Sequence, residues 1–453
     1  MMRRKKQFNH FIIAILIMVF AIGFAAFSAT LKINGTYNIS AMDWDVHFAN
    51  VDVNNESVTA TTVPTSDDST TTEMEYAVSF DTPGQFYEFT VDIVNDGSID
   101  AMVDVVSNKP YSVTTDEEIE MPRYLKSTVT YADGVPIGKK QLIAKNTSQK
   151  YKIKVEIPLS VNPEDLPTEN ATMVFKFSAN YKQSDKTACA KPTTFADDSW
   201  DTISCNVKNG NLNSYNVGDE KTIEMDMNND NTNETYTLRV ANNTRPEICD
   251  TEGFSQSACG FVVEFKDVVE NRYMGPYGDY SQTGYGNTGG WEHSDMRAYL
   301  NGTTYIAGNI DYSETGFISK LPAGLRNKII DTEVVSSYGQ NDSANWVSTD
   351  KIYLLATCEI WGKEGIYNII RYDSADTLTR QLDYYKSKDV KTDNFDAQRT
   401  YVSKKKLNGA YEYWWLRSAD DSNDDYYRVE SNGGYGRNYY NSRHGVSPAF
   451  RLG

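Results

Sequence analysis

Histidine is scarce, with four residues in 453, and His10 is spent in the N-terminal apolar segment. His47, His293 and His444 lie far apart, none beside a Cys or a second His at metal-ligand spacing. The five cysteines include no Cys-x-x-Cys pair, which argues against structural zinc. A hydrolytic triad therefore lacks raw material, and the chain reads as a non-enzyme. Cations are in the minority too: 44 Lys and Arg stand against 62 Asp and Glu, a net charge of −18. Nucleic-acid binding needs clustered Lys and Arg to neutralise phosphates, so no nucleic-acid partner is expected. What the chain has instead is tyrosine, 31 residues of it, suited equally to strands and to recognition surfaces.

The one long apolar run lies at the N-terminus. Arg3-Arg4-Lys5-Lys6 precedes Phe11 to Ala26, and Ala26-Phe27-Ser28-Ala29 sets small residues at a cleavage position. Residues 1–29 read as a signal peptide, or as a signal anchor, since the run approaches the length of a membrane span. The rest of the chain is expected to be secreted or at the cell surface, touching membrane only through that segment if it stays uncleaved. In an exported chain five cysteines allow two disulfides. Cys249 and Cys259 can close a loop around Gly253, while Cys189 and Cys205 bracket the start of a second domain. Cys358, in Ile352-Tyr353-Leu354-Leu355-Ala356-Thr357-Cys358, is read as a buried thiol outside any disulfide.

Residues 30–183 alternate apolar and polar positions in short runs separated by turn residues. Trp44-Asp45-Val46-His47-Phe48, Phe86 to Val94, Tyr151 to Pro158 and Met173 to Phe177 each show the period of a strand with one face buried. An all-β antiparallel sandwich is expected, with Asn54 to Thr72 as a polar insertion loop. Residues 184–194 form a polar linker around Cys189. A second, irregular α+β domain is expected over 195–453. Its helices are predicted after Asp198 or Ser199, after Ser294 or Asp295, and along Leu321 to Ile330, where Leu321, Leu325, Ile329 and Ile330 share a face. Tyr236 to Val240, Phe261 to Phe265 and Lys351 to Thr357 are predicted strands.

Two resemblances sharpen this outline. The signal with Ala-Phe-Ser-Ala-Thr, then Leu31 to Thr36, Trp44 to Phe48 and Pro83-Gly84, resembles Gram-positive exported proteins of the camelysin and matrix-fibre type. That resemblance implies a surface-exposed sandwich, and with it a structural alternative: a biofilm-matrix or cell-surface subunit assembling through that sandwich. The second is carried by Gly260 to Phe265, Trp291 with Met296-Arg297, Trp414-Trp415-Leu416-Arg417-Ser418 and Gly445-Val446-Ser447-Pro448-Ala449-Phe450-Arg451-Leu452. These residues resemble a bacterial domain family related to the C-type-lectin-like fold, shared by formylglycine-generating enzymes and by the variable proteins of diversity-generating retroelements. It implies a lectin-like domain; formylglycine chemistry does not carry over, because no Cys follows Cys358.

Between the two frames, residues 419–444 are almost wholly Asp, Asn, Ser, Tyr, Gly and Arg. Tyr supplies rigid amphipathic area, Ser and Asn adaptable hydrogen bonds, and Arg a planar cation. The candidate ligand-binding residues are Asp420, Asp421, Asn423, Asp424, Asp425, Tyr426, Tyr427, Arg428, Asn432, Tyr435, Arg437, Asn438, Tyr439, Tyr440, Ser442, Arg443 and His444. Their expected partner is a protein or glycan on another cell, a phage or a host surface. Retroelement diversification mutates adenines, so the resemblance implies codons that cannot specify Lys, Gln, Glu, Met or Trp. Only Glu430 breaks that rule here, although a fixed Gly/Tyr/Asn-rich hairpin has a similar composition. Asp226 to Glu234 and Asp420 to Asp425 are rich in oxygen ligands but fit no EF-hand loop. No cofactor is expected; calcium stays open and no metal ligand is assigned.

Overall fold

Strand β3 (Phe86–Asn95) shows how the sequence builds the first half: Tyr87, Phe89, Val91 and Ile93 are buried while the residues between them are half-exposed. The computed structural model describes residues 43–60, 72–112, 115, 117–167, 172–275, 287–339, 345–363, 378–391, 402–420 and 424–453. The expected signal segment, most of the expected insertion loop, Asp421 and Asn423 lie outside the described residues. Among the described residues no helix is long and apolar enough to cross a membrane.

Trp44–Gly453 forms one compact unit, β-rich and dominated by antiparallel pairing. With β1 (Val46–Glu56), β2 (Glu73–Ser79), β4 (Ala101–Tyr111), β5 (Lys126–Tyr131), β6 (Leu142–Ile143), β7 (Thr147–Glu156) and β8 (Thr172–Gln183), two four-stranded sheets form, ordered β1-β3-β7-β5 and β2-β8-β4-β6. Their inner faces meet through aromatic rings: Phe48 stacks on Phe177, and Tyr76 on Tyr87. Two expectations shift at the edges. The ladder begins at Val46, leaving Trp44 exposed, and β1 continues past Asn54 to Glu56, irregularities after Ala49 and Asp52 absorbing the extra residues.

The polar linker is stitched into both halves. Cys189 bonds to Cys205, closing a short loop that stabilises by about 3 kcal/mol in the chain-entropy view. Its amide donates to Lys140 O (2.9 Å), and its carbonyl accepts from Leu142 N (2.8 Å). Buried Gln141 accepts from Tyr131 Oη at 2.8 Å and donates to Asn206 at 3.2 Å. Asn211 accepts from Lys139 N and donates to Lys139 O, at 3.0 and 3.1 Å. The Gln141 and Asn211 side chains thus satisfy one another's neighbours and nearby backbone groups, Gln141 also accepting from Gly138 N at 2.8 Å.

The second half holds two five-stranded sheets over one core. The first runs β17 (Ile352–Tyr353), β24 (Ala449–Arg451), β11 (Val262–Phe265), β10 (Glu234–Asn242), β9 (Glu220–Met225). The second runs β12 (Glu270–Tyr273), β23 (Arg443–Val446), β20 (Trp414–Ala419), β21 (Asp425–Val429), β22 (Tyr435–Tyr439). Three short hairpins, β13 (Thr304–Tyr305) with β14 (Ile310–Asp311), β15 (Thr332–Ser337) with β16 (Asn345–Asp350), and β18 (Lys405–Leu407) with β19 (Ala410–Glu412), flank them. Ser199 caps the helix Trp200–Lys208 by accepting from Thr202 N, and Ser294 caps Asp295–Asn301 by accepting from Arg297 N.

Two predicted elements change. The helix expected along Leu321 to Ile330 is cut to the four residues Ala323–Arg326, with a separate helix, Phe317–Lys320, ahead of it, because Pro322 has no amide to donate and restricts Leu321 before it. The strand expected over Lys351 to Thr357 pairs only at Ile352 and Tyr353, and Thr357 opens the helix Thr357–Trp361. A short run buried on all sides carries no period to separate strand from helix.

Candidate ligand-binding surface

The surface is built on β20, whose six residues are all buried. Trp414 Nε1 donates to Ser403 O at 3.1 Å, and Trp415 Nε1 to Arg272 O at 3.0 Å. Arg417 pairs with Glu359 through two 2.6 Å contacts and donates to Leu354 O at 2.8 Å. Burial works to raise the Glu359 carboxyl, but the Arg417 guanidinium overrides it and holds it below the usual range. A second buried network surrounds Glu264, which takes Arg239 at 2.6 Å, Lys405 at 2.7 Å and Tyr385 Oη at 2.9 Å. Burial again opposes ionisation, yet Arg239 and Lys405 bring Glu264 down to about 2, while burial pulls Lys405 down to about 8. Both networks are sealed from solvent and hold strands to the segments behind them.

Strand β21 pairs β20 on one side and β22 on the other, so the polar segment extends the buried sheet outward. Not all of it is surface, and this corrects the sequence reading. Tyr426, Tyr427 and Tyr440 belong to the hydrophobic core. Tyr426 Oη reaches under the neighbouring turn to Gly290 O at 2.8 Å. That turn passes so close that a Cβ on Gly290 (φ 55°) would lie 1.9 Å from Ser337 O. Asp420 is also buried, its carboxylate accepting from Arg437. Composition identified a tyrosine-rich segment but could not tell that β21 is covered on both faces.

The residues that reach solvent are fewer. Asn432, Arg437, Tyr439 and Arg443 are exposed, Tyr439 at 59%. Asp424, Asp425, Arg428, Tyr435, Asn438, Ser442 and His444 are half-buried between them. Glu430 N and Glu430 O join Gly434 O and Gly433 N across the β21–β22 turn, and its carboxylate lies 3.5 Å from Arg428.

His444 sits at the centre of this surface. Its ring meets Trp415 edge-on at 4.7 Å, and Arg428 lies over Tyr413 at 4.6 Å. Nε2 is 2.6 Å from Arg428 Nη1 and 2.9 Å from Asn438 Nδ2. Both neighbours are donors, so Nε2 accepts and the proton belongs on Nδ1. Burial first, and then the Arg428 charge, bring the imidazole down to about 4. Burial raises Asp425 against the pull of Arg437, whose guanidinium is itself raised by Asp420. The surface therefore offers ring faces, fixed guanidinium donors and a neutral imidazole.

One feature was missed. Asp45, His47 and Asp96 bring their ligand atoms within 4.8 Å of one another, and the strand spacing Asp45-x-His47 was the available signal. His47 Nδ1 already lies 2.7 Å from Asp45 Oδ1. The acidic turn from Asp226 to Glu234 spends carboxylate oxygens on its own amides, Asp226 accepting from Asp230 N and Asn231 N and Glu234 from Met227 N. No curated protein and no solved structure matches the chain. The second sheet with its buried frame and polar hairpin falls inside residues 267–453, which match the model of a family described as a domain of unknown function (DUF6273).

Proposed function

We propose that this chain is an exported, non-catalytic ligand-binding protein whose C-terminal, C-type-lectin-like domain presents the β21–β22–β23 surface to a protein or glycan. Its sandwich holds that domain away from the cell. The observation that carries the reading is Tyr439, a large ring 59% exposed on a hairpin continuous with a fully buried strand. Arg437 and Arg443 flank it, the first held by Asp420 and the second by Asn271 O at 2.9 Å. Exposed Tyr and Arg on a rigid frame are the chemistry of binding hot spots. Retroelement diversification of the outward positions belongs to the same proposal, and Glu430 in the turn is its fixed residue.

The test is an array of glycans and extracellular proteins probed with the wild type and with Tyr439→Ala/Arg443→Ala. A ligand retained by the wild type and weakened at least about tenfold by the double substitution supports the surface. A ligand bound equally by both moves the site elsewhere.

A further inference from the structure

We propose that Asp45, His47 and Asp96 hold a divalent first-row transition cation, with zinc as its probe, on the outer face of the β1–β3 pair. The site lies in the first half of the chain, uses no residue of the hairpin surface and does not rest on that reading. One ligand atom from each of the three side chains lies within 4.8 Å of the other two. All three can be reached from solvent, Asp96 being exposed and Asp45 and His47 half-buried.

Strand pairing brings them together. Val46 faces Asn95 and His47 faces Val94, so the same ladder carried one residue outward sets Asp45 against Asp96. Asp96 N donates to Asp45 O at 2.9 Å, and Gly97 N reaches the same oxygen at 3.3 Å. Val46 and Phe48 turn into the core, so Asp45 and His47, two residues apart, share the opposite face. The turn that carries Asp96 is pinned from beneath by buried Asn95. Its Nδ2 donates to Ile99 O at 3.0 Å and to Ile143 O at 3.1 Å, and its Oδ1 accepts from Gly97 N at 3.2 Å. The backbone and Asn95 thus fix where the three side chains start, before any ion arrives.

The charges call for a cation. Asp45 and Asp96 are like charges directly across an antiparallel pair, an arrangement that destabilises a sheet when nothing sits between them. Among the described residues no Lys or Arg pairs with either one. Lys150, on the same sheet face, is taken by Asp92 at 3.3 Å, and the partner of Asp45 is His47.

The donor set selects the class of ion. One imidazole nitrogen with two carboxylate oxygens suits zinc and its first-row neighbours, whereas calcium and magnesium take oxygen ligands. Two ligands on a tetrahedral zinc stand about 3.4 Å apart, given bonds of about 2.1 Å. His47 Nδ1 and Asp45 Oδ1, at 2.7 Å, need only part slightly, and exposed Asp96 has room to swing toward them. Three protein ligands leave a fourth position for water. The bound ion clips the chain where it enters β1 to the turn that leaves β3, and so stabilises the folded sandwich by mass action.

The experiment is isothermal titration of the untagged, chelator-treated full chain with zinc chloride. One ion per chain is expected to bind with a Kd of about 10 μM or tighter, and saturating zinc should raise the thermal unfolding midpoint. His47→Ala and Asp96→Asn should each weaken binding at least about tenfold. Asp226→Asn, in the acidic turn whose oxygens already accept from its own amides, should leave it unchanged. Asp96→Asn keeps the shape of an exposed side chain, so it carries the test if thermal unfolding shows His47→Ala misfolded. Three results overturn the proposal: no zinc bound up to about 1 mM, binding that survives both substitutions, or calcium bound as tightly as zinc.

Discussion

Strands β20 and β22 lie in the same sheet with β21 between them, yet one is wholly buried and the other half-exposed. In β20 every side chain has a structural partner: Trp414 and Trp415 are donors to buried carbonyls, and Arg417 is locked to Glu359. In β22 Arg437 and Tyr439 project outward, and the backbone ladder to β21 supplies the rigidity. The gradient across two strand spacings shows how an exposed outer strand is kept stiff. Order is supplied by the buried strand, and the outer strand is left with little structural demand on its side chains.

Four substitutions or conditions test that gradient, from largest effect to smallest. Trp415→Ala removes a buried ring and its hydrogen bond and should cost about 3–5 kcal/mol in denaturant unfolding. Tyr426→Phe keeps the ring but leaves Gly290 O without its 2.8 Å donor, and should cost about 1 kcal/mol. His444 links the inner and outer strands through pH. Its folded value, about 4, lies below the ordinary 6.5, so below pH 6.5 the unfolded chain takes up the proton first. Its contribution is complete above about pH 6.5 and is lost as the pH falls through about 4. Denaturant midpoints between pH 7 and pH 4 (about these limits) should fall less steeply for His444→Gln than for the wild type. Tyr439→Ala should change stability by no more than about 0.5 kcal/mol. A loss there as large as that of Trp415→Ala would make Tyr439 part of the frame and remove it from the surface.

The legible parts of the sequence were those where a local rule has a local consequence. Strands such as Phe86–Asn95 declared themselves because alternate residues face one core, and Ser199 and Ser294 declared helix starts because a cap bonds within its own turn. The two cysteine pairs formed as spacing allowed, Cys249 with Cys259 and Cys189 with Cys205, and Cys358 is buried outside both. The frame from Trp414 to Arg417 and from Val446 to Phe450 is buried, as its apolar content required.

What the sequence by itself determined, then, is a β-rich chain with alternating strands in its first half and a tyrosine-rich segment between two buried anchors in its second. Tertiary structure alone decided which tyrosines those anchors leave outside. Tyr426, Tyr427 and Tyr440 pack inward and Tyr439 does not, because burial depends on what covers each face of a strand, and that cover comes from residues more than a hundred positions away, such as Gly290 over Tyr426.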